Sequence, residues 1–132
     1  MSSGGSTYWT PGSIPLIAPD ILGEIIASAS DLSVVVSAEG KVLSVLRNPE
    51  GDQLADCDGW EGMDIRDTLA QDSVPKVDER LAALRDSGHR AAGVELNHVG
   101  RGGAEFPIRY SFHPIGPDGT VLMLGRDLRP IA

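Results

Sequence analysis

Three strand-forming runs, Ala92 to Val99, Glu105 to Pro114 and Thr120 to Leu128, stand one after another with only Gly100-Arg101-Gly102-Gly103 and Gly116-Pro117-Asp118-Gly119 between them. Both connections are of hairpin size, so the runs can pair only as an antiparallel meander. In the first, Val94, Leu96 and His98 alternate with Glu95 and Asn97. In the second, Phe106, Ile108, Tyr110 and Phe112 alternate with Pro107, Arg109, Ser111 and His113, which marks one face as core. The third run, Val121-Leu122-Met123-Leu124-Gly125, is apolar on both faces. Such a strand belongs in the middle of a sheet with its outer side covered as well, by a helix or by a second subunit. Pro107 is awkward in this setting because it has no ladder donor, and it is expected at the strand start or a bulge.

The chain before the meander supplies the rest of an α+β plan. Residues 1 to 17 begin Met-Ser-Ser-Gly-Gly-Ser, a composition that buries little surface, and read as a flexible tail in which Tyr8 and Trp9 stand out. From Pro19 the apolar spacing turns helical, with Ile21, Leu22, Ile25, Ile26 and Ala29 on one stripe. Ser33 to Ser37 and Lys41 to Arg47 are β-branched runs about a turn at Gly40, hence a hairpin. Asn48 to Asp64 is dense in breakers and reads as loop with single helical turns, docked by Trp60. A second helix is predicted over Asp72 to Ser87, capped by Asp72 or Ser73 and ended at Gly88, with Val74, Val77, Leu81 and Leu84 facing inward. With 132 residues, this is one domain, residues 18–132 behind the tail.

Charge and composition narrow the function. A net charge of −8 repels phosphate, so direct nucleic-acid binding by this domain is not expected. No apolar run approaches the roughly 20 residues of a membrane span, which predicts a cytoplasmic protein. A single cysteine, Cys57, sits between Asp56 and Asp58, where its thiolate is disfavoured, and it is expected to be inert. No nucleophile elbow, phosphate-cradling loop or His-Glu-x-x-His occurs, so the chain does not read as an enzyme.

The element order, two strands, a helical insert and three meandering strands, resembles that of PAS domains. Ala18 to Asp31 (APDILGEIIASASD), Gly59 to Gly62 (GWEG), Val94 to Val99 (VELNHV), Glu105 to Tyr110 (EFPIRY) and Leu122 to Ala132 (LMLGRDLRPIA) are similar to the amino-terminal domain of the PpsR/CrtJ repressors of purple photosynthetic bacteria. The resemblance implies a PAS-like five-stranded antiparallel sheet with short helices on one face and the N-terminal helix on the other. It also implies a redox- and light-responsive repressor of photosynthesis genes, of which this chain is a fragment, with an antirepressor protein as partner. The family's redox-active cysteines and its DNA-reading helix-turn-helix lie in other parts, so neither role is carried onto a residue here.

Two sets of residues are candidates for function. Val94, Leu96, His98, Ile108 and Tyr110 would line a ligand pocket, in which His98 is either a satisfied core residue or, in the rival reading, a contact to a small molecule or haem. No cofactor is expected in the leading reading. Ile21, Leu22, Ile25, Ile26, Leu122 and Leu124 would form a homo-oligomer interface on the outer sheet face. Glu95, Arg109 and Arg126 are expected on that same face as an ion-pair cluster or a subunit contact, while Asp64, Asp67, Asp78, Glu79 and Asp86 read as solvated carboxylates.

Overall fold

A computed structural model describes residues 18–48, 57–87 and 91–129. Readings that concern the tail, Tyr8, Trp9, Gly88 and residues 49–56 fall outside them. The elements are α1 (Pro19–Ala29), β1 (Leu32–Val36), β2 (Val42–Arg47), 3-10 turns at Ile65–Thr68 and Gln71–Ser73, α2 (Val74–Ser87), β3 (Ala91–Val99), β4 (Glu105–Pro114) and β5 (Val121–Asp127).

The strands form one antiparallel sheet in the order β2-β1-β5-β4-β3. The doubly apolar β5 therefore lies in the middle, as its composition demands. Leu32, Val34 and Val36 of β1, Met123 of β5, and Phe106, Ile108, Tyr110 and Phe112 of β4 point into one core with Val77, Leu81 and Leu84 of α2. Each alternate residue goes the other way, because side chains reverse at every step of a strand. Gly40 has φ +95, the left-handed region the β1–β2 turn requires, and its N–H donates to the Ser37 carbonyl at 2.9 Å. Close approach explains Gly125: a Cβ there would stand 2.6 Å from the Leu32 carbonyl oxygen and 2.7 Å from Ile108 and Tyr110 side-chain carbons.

Pro107 lies two residues inside β4, opposite Asn97, with no bulge. Its carbonyl accepts the Leu128 N–H at 3.1 Å just past the end of β5, so its missing donor falls at the last rung of the β4–β5 pairing. The hydroxyl of Ser73, expected to cap α2, instead accepts the Asn97 N–H at 2.8 Å and ties the helical segment to β3. Two of the carboxylates expected to be merely solvated are also tied down: Arg66 Nε donates to Asp78 at 2.6 Å and Nη1 to Asp64 at 2.9 Å, while Nη1 also reaches the Glu39 carbonyl at 3.0 Å. One guanidinium thus joins the hairpin, the 3-10 turn and α2.

Candidate functional site

The core centres on a histidine. β3 alternation turns His98 inward, where it is fully buried, and three aromatic rings surround it. Trp60 stacks at 4.5 Å between centroids and Phe106 at 5.4 Å, while Tyr110 meets the ring edge-on at 5.6 Å. Both nitrogens are bonded: Nε2 is 2.7 Å from Tyr110 Oη, and Nδ1 is 3.2 Å from the Thr68 carbonyl and 3.1 Å from Thr68 Oγ1. The carbonyl can only accept, so the proton sits on Nδ1 and the Tyr110 hydroxyl donates to Nε2. Thr68 Oγ1 then donates to the Ile65 carbonyl at 2.7 Å, closing the chain of bonds.

The 3-10 turn places Thr68. Asp64 caps it by accepting the Arg66 N–H at 2.9 Å, and Ala70 N–H reaches the Asn97 carbonyl at 2.8 Å, which lays this segment along β3 beside His98. Burial lowers the His98 pKa to about 4, against a smaller opposing effect of its bond to the Thr68 backbone. The ring is neutral at pH 7. Burial also pushes the Tyr110 hydroxyl well above its ordinary range, helped by the nearness of Cys57. Cys57 itself, read from sequence as a loop residue, is a core member at 1% exposure.

Of the five candidate pocket residues, Leu96, His98, Ile108 and Tyr110 are fully buried and Val94 is partly so. All five lie on the core side of the sheet, where the Trp60 and Phe106 rings pack against His98. An axial haem ligand needs a free ring nitrogen facing an open cavity. His98 has neither nitrogen free and both ring faces covered, so these residues do not fit haem. Among the described residues no three His, Cys, Asp or Glu side chains are grouped to hold a metal ion.

The other face of the sheet is open. α1 packs along β1 and β2, anchored where Ser30 Oγ donates to the Ile26 carbonyl and meets Ser33 Oγ, both at 2.7 Å. Yet no residue of α1 is buried. Ile26 is half-buried, whereas Ile21, Leu22 and Ile25 are 46%, 42% and 51% exposed. Leu122 is buried and Leu124 half-buried. The stripe thus covers its own sheet only along one edge and leaves three large aliphatic side chains in solvent. Beside the end of α1 lies a cleft of about 280 Å³ lined by Ser30, Gly93, Arg109, Ser111, Leu124 and Arg126. Arg109 stands opposite both Glu95 and Arg126 in the ladders. The expected ion-pair cluster does not form: none of the three makes a salt bridge among the described residues. Gly93 leaves space that the Arg109 guanidinium occupies, 3.4 Å from where a Cβ would be, and this draws it across β3 instead of onto Glu95.

Strand order, a helical insert over one face and an N-terminal helix on the other are the fold of PAS domains. It superposes with TM-score 0.62 on the PAS domain of an HTR-like protein from Haloarcula marismortui, at 16% identity over 83% of this chain and 96% of that one. The RpfR quorum-sensing receptor PAS domain of Cronobacter turicensis, solved in complex with C12:0, gives 0.59 at 12% identity over 74% of this chain and 93% of that one. No protein-family model matches. Over all 132 residues the chain is 33% identical to protein CrtJ of Rhodobacter capsulatus. It spans 28% of that protein's length.

Proposed function

We propose that this is a regulatory, non-catalytic PAS domain of a redox- or light-responsive transcriptional repressor of photosynthesis genes, working by self-association and relay. The observation that carries the reading is the contrast between the two faces. The inner one is closed by the Trp60, His98, Phe106 and Tyr110 rings, whereas the outer one leaves Ile21, Leu22 and Ile25 uncovered. A helix that keeps three aliphatic side chains in water loses the stabilisation that burying them gives, of order 1.5–3 kcal/mol each when complete. A second copy recovers it, and an antirepressor of matching shape competes for the same strip.

Relay has a physical route as well. At the end of β5, Arg129 Nη2 donates to the Asp127 carboxylate at 2.7 Å while its guanidinium lies 5.0 Å over the Phe106 ring. Phe106 stacks on His98, so the exit of the chain rests on the core stack. Sedimentation equilibrium of the chain and of Ile25→Asp tests the reading: a dimer that the substitution converts to monomer supports it, and an identical monomer for both refutes it.

A second reading, a small-molecule sensor, is favoured by one observation, the C12:0 complex of a PAS domain with the same fold. Here a ligand would have to displace Trp60 from His98, so ligand entry and disruption of the stack are the same event.

A further inference from the structure

We propose that Arg109 and Arg126 receive Asp20 and Glu24 from α1 of a second copy, making the outer face a self-complementary interface of fixed register. This rests on the reading that α1 mediates self-association.

The two arginines face one another directly across β4 and β5. Like charges so placed oppose the folded state unless an anion stands between them. Both are exposed, and neither has an ion-pair partner among the described residues. On α1, Asp20 and Glu24 are likewise exposed and without a salt bridge. They lie one turn apart along the edge of the strip made by Ile21 and Ile25.

The spacings match. Directly opposed residues of an antiparallel pair have Cβ atoms about 5 Å apart. Residues four apart on a helix are about 5–6 Å apart. A partner helix lying across the strands can therefore bring one carboxylate to each arginine, the Arg109 side chain swinging back from its place over Gly93 to form the charge-assisted bond, while Ile21 or Ile25 enters the cleft against Leu124. Glu95 fixes the limit of travel. It continues the row on β3 beyond Arg109, so a helix displaced by one strand would bring a carboxylate onto a carboxylate. Since each copy carries a net charge of −8, such local matching is what permits two of them to meet. In a two-fold dimer the contact occurs twice, α1 of each copy on the sheet of the other.

Charge exchange tests this in the full chain, with variants Asp20→Lys/Glu24→Lys and Arg109→Glu/Arg126→Glu measured by sedimentation equilibrium alone and mixed, one of them fluorescently labelled. Each alone is expected to dimerise at least tenfold more weakly than the parent. The equimolar mixture is expected to form a heterodimer near parental strength, because both of its half-interfaces regain opposite charges, and that recovery also shows that α1 remains intact. If both variants dimerise like the parent while Ile25→Asp is monomeric, or if mixing restores nothing, the charge pairing is wrong and self-association through α1 stands. If the parent is itself monomeric throughout, both fall.

Discussion

His98 makes the stability of this domain depend on pH between about 4 and 6.5. Its folded pKa of about 4 lies below the ordinary 6.5 of an unfolded chain, because burial penalises the imidazolium. Between these values the unfolded chain binds the proton and the folded one does not, so stability falls as pH falls. The contribution is fully present above about pH 6.5 and fully lost below about pH 4. A shift of this size corresponds to about 3 kcal/mol, of which about 2 kcal/mol is gone by pH 5. With a urea dependence of about 2 kcal/mol per molar, the unfolding midpoint should move down by about 1 M between pH 7.5 and pH 5. Carboxylates add to acid loss, so the comparison is with His98→Gln, which keeps hydrogen-bonding groups but cannot titrate. The stability difference between parent and variant should shrink by about 2 kcal/mol over that range. Nitrogen-15 spectra of the parent should show a neutral ring with its proton on Nδ1 down to pH 5, a readout independent of whether the variant folds. A difference that stays constant with pH, or a ring that titrates near 6.5, refutes the reasoning.

Two further substitutions probe the same core. Tyr110→Phe leaves His98 Nε2 buried without the donor it has at 2.7 Å, and urea unfolding should show a loss of about 1–3 kcal/mol; an unchanged midpoint would mean that water or another group takes the bond. Gly125→Ala drives a methyl against the Leu32 carbonyl, 2.6 Å away, and should lower the thermal midpoint by about 5–10 °C, against no shift if the strand can move aside.

Much of the fold was legible because periodicity and turn length leave few choices. Alternation in β3 and β4 identified the inward residues, His98 included, and the doubly apolar β5 could sit only in the centre. Trp60 was readable as the group that docks the loop because an indole there has no other use. Partnerships were not readable. Nothing in the spacing of Thr68, His98 and Tyr110 reveals a shared hydrogen-bond chain, since the 3-10 turn that delivers Thr68 is placed by tertiary contacts with β3. Ser73 has the position of a helix cap, yet its hydroxyl accepts the N–H of Asn97, 24 residues away. The Glu95, Arg109 and Arg126 row was found correctly on one face, but whether charges in register actually pair depends on rotamers, and Gly93 draws Arg109 aside. The stripe on α1 showed that this helix wants an apolar partner; pattern alone does not say whether that partner is its own sheet or another chain.

Native mass spectrometry of the purified chain weighs the central claim against its rival in one spectrum. A species at twice 13.9 kDa with no added mass is the expected result for a self-associating domain whose core is filled by its own rings. A monomer that retains a small-molecule mass would contradict it.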